Sequence, residues 1–148
     1  MSDYRVIIIP EDPEFVPAEH ARRSAWHCVA TFLPGDTATA EVTEHPVFVD
    51  PGANWSGVRC PACSAALDDS WWADRVDEAY DTHFTDLRVA TPCCHNTMSL
   101  NDLDYIWPAG FARFQLVIEN PTAGVALGVV KQVASIIGVP VRVVHRHI

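Results

Sequence analysis

The sequence predicts an α+β protein, a compact two-layer arrangement of sheet and helices with a cysteine-bearing insertion in its middle. Three observations predict it. The chain begins with a β-branched run, a helical run and an alternating run, a β-α-β unit. It closes on a second β-α-β unit, and between the two lie four of its five cysteines. Its 148 residues suit a single domain, 1–148, which at this size buries roughly two thirds of the surface of its unfolded chain.

Residues 4–9 are rich in β-branched side chains and end at the proline-rich turn 10–17, which predicts an inner strand. Over 18–33 the apolar residues Ala21, Ala25, Cys28, Val29, Phe32 and Leu33 recur at helical spacing, and Pro34-Gly35 stops the run. An amphipathic helix with Cys28 in its buried stripe is expected. Residues 37–43 alternate Ala38, Ala40 and Val42 with Thr39, Glu41 and Thr43, the period of a half-buried strand, and 47–49 continue it beyond Pro46. Residues 50–56 are loop chemistry. Asp68, Asp69 and Ser70 then offer capping oxygens and negative charge to the start of a helix carrying Trp72, Val76, Ala79, Tyr80 and Phe84 on one face. Residues 87–90 return as a strand. Phe114, Leu116 and Ile118 alternate with polar neighbours in another. Pro121-Thr122 opens a helix reaching Ile137, although Gly124 and Gly128 each weaken it by about 1 kcal/mol relative to Ala. Gly138 ends that helix and 139–144 form the last strand.

The formal charge is −9, with 10 Lys and Arg against 19 Asp and Glu. Phosphate binding draws on cations that are scarce here, so a nucleic-acid partner is disfavoured, whereas an acidic surface steers a basic protein toward it. The apolar stretch 6–9 is too short for a signal-peptide core, and 125–139 is interrupted by Gly128, Lys131 and Gln132, so no segment reads as a membrane span. The expected compartment is the cytoplasm. There, five cysteines read as metal thiolates plus a leftover core residue rather than as a disulfide framework.

Cys60-Pro61-Ala62-Cys63 has the spacing with which one chain reversal presents two thiolates to a zinc ion, and Pro61 pre-sets φ for the turn. Backbone amides that follow can donate to the first sulfur. A second pair, Cys93-Cys94, comes later in the chain. Setting Val58-Arg59-Cys60-Pro61-Ala62-Cys63 against Val89-Ala90-Thr91-Pro92-Cys93-Cys94 puts Cys94 in the place of Cys63 and Thr91 in the place of Cys60. The fourth ligand has therefore moved. Cys93 is the nearest replacement, with His95 and His83 as alternates. Four thiolates would close the site and leave no position for an activated water, which makes the Zn2+ structural and the reading lean away from an enzyme. Residues 51–105 are then a zinc-binding insertion within the single domain.

These two turns resemble the zinc ribbon and rubredoxin knuckle class, whose sites pair two Cys-Pro-x-Cys-Gly turns. The likeness spans about residues 57–98 and departs from the pattern at Thr91, and at Ser64 and His95, where glycine is usual. The string Val-Arg-Cys-Pro-x-Cys followed by Thr-Pro-Cys-Cys also looks like small bacterial proteins. The resemblance implies a metal knuckle and brings no activity with it.

Trp55, Trp71, Trp72 and Trp107 flank the cysteines and can supply core to a small insertion. A sharper expectation is that Trp71, about 100° around the helix from Trp72, stands exposed beside Asp68 and Asp74. Such a patch would bind a basic protein partner, a toxin or effector that the chain neutralises or positions. Two other classes compete with this interaction module. A metal-dependent hydrolase would use Asp102, Asp104 or the pair His145 and His147, and a nucleic-acid-binding zinc ribbon would gather Arg59, Arg75 and Arg88 on one face. No phosphate loop, Gly-x-Ser-x-Gly elbow or His-Glu-x-x-His helix is present in the sequence.

Overall fold

Val6, Ile7, Ile8 and Ile9 are all buried although successive strand residues point to opposite faces, so the first strand is covered on both sides. This is the finding of a computed structural model that describes residues 3–35, 37–122 and 124–148. In chain order the elements are β1 (Tyr4–Pro10), α1 (Glu19–Phe32), β2 (Thr37–Val49), β3 (Val58–Arg59), β4 (Ala66–Leu67), α2 (Asp69–Tyr80), β5 (Arg88–Ala90) and β6 (Thr97–Ser99). A 3-10 turn (Leu100–Asp102), β7 (Asp104–Tyr105), β8 (Gly110–Glu119), α3 (Leu127–Ile137) and β9 (Val141–His147) complete the chain.

The main sheet has the order β2-β8-β1-β9 with each neighbouring pair antiparallel. Each β-α-β unit is thus split by a strand of the other, the ferredoxin-like arrangement. β8 and β1 lie inside, which is why both read as nearly continuous apolar runs. Helices α1 and α3 lie on one face, where Ala25, Val29, Val129, Val130, Val133 and Ile137 pack on Val6, Ile8, Phe114, Leu116 and Ile118. On the opposite face Ile7, Ile9, Val49, Ala112, Val117 and Val144 form a second cluster. The strand expected over 37–49 is continuous, with a register shift between Val42 and Val47 that absorbs Pro46.

Three expectations are corrected. The last helix starts at Leu127 and not at Pro121, because Gly124 takes a left-handed φ of 72° that no helix accommodates; Ala123 lies outside the described residues. The final strand starts at Val141, after Pro140, and runs on to His147. Cys28 is half-buried between the helices and not sealed in the core, its thiol donating to Gln132 Oε1 at 3.3 Å, and burial pushes its pKa up.

Residues between β2 and β8 build a separate cluster of their own. Val58, Cys60, Leu67, Ala79, Leu87, Val89, Leu100, Leu103 and Tyr105 are buried together, and the sheet reaches into them through Phe48 and Phe111. Trp72 is held there by Phe48 at 5.2 Å and Trp55 at 4.6 Å between ring centroids, and its indole donates to the Tyr105 hydroxyl at 3.1 Å. Asn101 ties this cluster to the sheet. Its side chain donates to the Glu11 carbonyl at 2.8 Å and accepts from the Phe111 amide at 2.8 Å. Arg142 of β9 adds bonds to the carbonyls of Asn101 and Ala109 and an ion pair with Glu11. Among the described residues no helix is long and apolar enough to cross a membrane.

Candidate metal centre

Two tight turns, one after β3 and one after β5, have the same backbone. In the first, the Cys60 amide donates to the Ala65 carbonyl at 2.9 Å and the Ser64 amide to the Cys60 carbonyl at 2.8 Å. In the second, the Thr91 amide donates to Asn96 at 3.0 Å and the His95 amide to Thr91 at 2.9 Å. The register that placed Thr91 opposite Cys60 is therefore the structural one. Ser64 and His95 both adopt left-handed backbone, with φ of 64° and 59°, at the positions where a knuckle of this kind ordinarily has glycine.

The turns face each other and bring the sulfur atoms of Cys60, Cys63, Cys93 and Cys94 within 4.8 Å of one another. Cys60 lies 3.7 Å from Cys94, Cys63 lies 3.3 Å from Cys93, and Cys93 lies 3.9 Å from Cys94. All are free thiols, since a disulfide would need about 2.05 Å. Such a group can hold a metal ion. Cys60 is fully buried, Cys94 is half-buried, and Cys63 and Cys93 are exposed.

The environment of each sulfur differs. Burial opposes ionisation of Cys60, but the amides of Cys63 and Ala62 and the neighbouring Cys93 outweigh it, and its pKa is lowered. The Thr91 hydroxyl, 3.3 Å away, and the Asn96 amide hold Cys94 down to about 6 against the cost of burial. At Cys63 the Ala65 amide favours the thiolate, yet the sulfurs of Cys93, Cys60 and Cys94 together with burial push the group up to about 12. Four sulfurs this near cannot all ionise without a cation between them.

Neither alternate ligand joins the group. His83 stacks on His45, with ring centroids 4.6 Å apart, and His95 occupies the left-handed position of its turn, so no histidine belongs to the cluster among the described residues. Asp102 and Asp104 are exposed on the 3-10 turn and β7, outside the sulfur group. His145 and His147 share a face of β9, where His145 meets the Tyr4 hydroxyl at 3.3 Å and lines an open groove with Asn54 and Trp107. Arg75, paired with Glu78, and Arg88, by Asp86, line one shallow pocket, while Arg59 is exposed on β3 and is not among its lining residues.

The patch expected on α2 is corrected in one respect. Trp71 is half-buried against the knuckle cluster rather than exposed, and the aromatic that reaches solvent from this helix is Tyr80, 63% exposed, which the periodicity had placed on the buried face. Asp68 caps the helix, accepting from the Ser70 amide at 3.2 Å, and Asp74 is exposed. Sequence reasoning also missed the Asn96 side chain, which donates to Cys94 at 3.3 Å; its place two residues after Cys94 was the available signal.

No family model matches the chain, and no curated protein or solved structure matches it either. Fold and site define it as an α+β protein carrying a four-cysteine cluster suited to a metal ion.

Proposed function

We propose that Cys60, Cys63, Cys93 and Cys94 hold one structural zinc ion and that the knuckle segment is a non-catalytic interaction module for a basic protein partner, a toxin or effector that it neutralises or positions. The observation that carries the metal is the spacing of the sulfurs. A tetrahedron with zinc–sulfur bonds of about 2.3 Å has edges of about 3.8 Å, and the separations of 3.3, 3.7 and 3.9 Å bracket that edge. A site filled by four thiolates has no place for an activated water, which favours a staple over a reaction centre. Free cysteines throughout suit a reducing compartment, the cytoplasm.

The partner reading draws on α2. Its exposed side carries Asp74 and Asp77, with Tyr80 and the capping residue Asp81 exposed at its end, and the one ion pair on this helix among the described residues is Arg75 with Glu78. With the net charge of −9, this surface attracts cations at long range and offers an aromatic ring at contact.

The test has two arms. Elemental analysis should give about one zinc per chain, and Cys60→Ser should lower both zinc content and thermal stability. Affinity purification from the native cells should recover a basic protein that raised salt releases and that Asp74→Lys with Asp77→Lys no longer holds. Reproducible absence of any protein partner would sink the interaction reading and leave the zinc untouched.

A further inference from the structure

We infer that Cys93 is the reactive thiolate of this centre, a modification site for peroxides and soft electrophiles, with Cys63 as the thiol that resolves it. The inference rests on the zinc reading above and deepens it. Three of the four sulfurs are supported by donors. Cys60 receives the amides of Ala62 and Cys63, and Cys63 receives that of Ala65. Cys94 receives the Thr91 hydroxyl, the Asn96 amide and the Asn96 side chain. Cys93 stands where the first turn has Ala62, a position the turn does not build to carry a ligand. The amide two residues on, that of His95, is committed to the Thr91 carbonyl at 2.9 Å. Among the described residues, the side-chain partners of its sulfur are other thiols, those of Cys60, of Cys63 at 3.3 Å and of Cys94 at 3.9 Å.

Donors withdraw electron density from a thiolate and reduce its nucleophilicity, so the sulfur without them is the one that attacks. Exposure acts in the same direction. Cys93 is exposed, whereas Cys60 is buried and Cys94 half-buried. The relocation of the fourth ligand from Thr91 to Cys93 thus has a chemical consequence. It moves one thiolate from a sheltered corner of the tetrahedron to its open side, next to a second exposed thiol.

The chemistry follows the oxidation ladder of cysteine. The Cys93 sulfur attacks one oxygen of hydrogen peroxide, the O–O bond breaks, the sulfur becomes a sulfenic acid, and the departing hydroxide takes a proton to leave as water. The Cys63 sulfur then attacks the oxidised sulfur, an S–S bond forms, and the second oxygen leaves as hydroxide and is protonated to water. Peroxide is the oxidant, two protons are consumed because both sulfurs start as thiolates in the loaded site, and the metal is left with Cys60 and Cys94 alone. Two thiolates hold zinc far more weakly than four, so oxidation releases it. With a maleimide the first step stops at a thioether.

The zinc content of the full-length chain is measured first, and the loaded protein is then treated with substoichiometric N-ethylmaleimide and mapped by peptide mass spectrometry. Cys93 should take the label several-fold faster than any other cysteine. Hydrogen peroxide should give a Cys63–Cys93 disulfide and about one zinc released per chain, reversed by dithiothreitol with added zinc. First labelling at Cys60, Cys63 or Cys94, even labelling of all four, or a disulfide between Cys60 and Cys94 would overturn the assignment while leaving the zinc reading intact. A chain that contains no zinc at the outset overturns the zinc reading itself, and the inference with it.

Discussion

Thr91 is fully buried at the place where the first knuckle has Cys60, and its hydroxyl lies 3.3 Å from the Cys94 sulfur. A hydroxyl there is placed to donate to a Cys94 thiolate, and in the proposed zinc site the fourth corner falls to Cys93. Thr91→Val keeps the shape and removes the donor. It should weaken zinc binding about 10–100-fold, the usual cost of losing a bond to a metal ligand, whereas Thr91→Ser should stay near the parent. Chelator competition measures both, and an unchanged Thr91→Val would contradict the role. Thr91 was legible in the sequence because two six-residue strings align around Pro61 and Pro92. Cys93 was legible as the nearest replacement and lies in the sulfur group, and the left-handed φ of 59° at His95 falls where the knuckle pattern has glycine. Trp71 was misread. Helical spacing gives the angle between Trp71 and Trp72 but not what lies beside each, and the knuckle covers both while Tyr80, at the end of α2, lies beyond it.

At the scale of elements, β1, α1, β2 and the strand after the cysteines were readable from apolar spacing, but the buried faces were read less well, since Phe32 of α1 and Val42 of β2, both placed on the apolar side, are exposed. The order β2-β8-β1-β9 was not readable, because pairing joins residues more than a hundred positions apart, such as Ile7 with Val117 and with Val144, and several orders bury the same faces. Asn101 shows how the inserted segment is fixed to the sheet. Buried at 3% exposure, it bonds Glu11 at the end of β1 and Phe111 at the start of β8. Asn101→Ala strands a buried amide and a carbonyl, so it should cost about 1–3 kcal/mol, read as a lower denaturant midpoint with an unchanged slope. A shift indistinguishable from zero would show that water substitutes for the side chain. In the core, Phe114 has no exposure, and Phe114→Ala should cost about 3–5 kcal/mol by the same measurement.

Among the described residues three apolar clusters form, one on each face of the sheet and one around the knuckles, and their supports differ. The sheet and the helix pair close over Val6, Ile8, Phe114 and Leu116 without any residue of the knuckles, whereas the cluster around Cys60, Leu100 and Trp72 is built from α2 and strands two or three residues long, with Phe48 and Phe111 reaching in from the sheet. Such short strands are not stable alone, and the proposed metal, by joining the two turns, would add a constraint to them. Chelation should therefore expose amides over 58–105 to hydrogen exchange and change the fluorescence of Trp55 and Trp72, while β1 and β8 stay protected. Simultaneous loss of protection in the sheet would show that the two parts fold as one unit.

A single zinc ion held by four sulfurs is tested most directly by X-ray absorption at the zinc edge of the purified protein. It should show four sulfur neighbours at about 2.3 Å and no nitrogen or oxygen neighbour. A shell with a lighter neighbour at about 2.0–2.1 Å would return the fourth position to histidine or water and contradict the account.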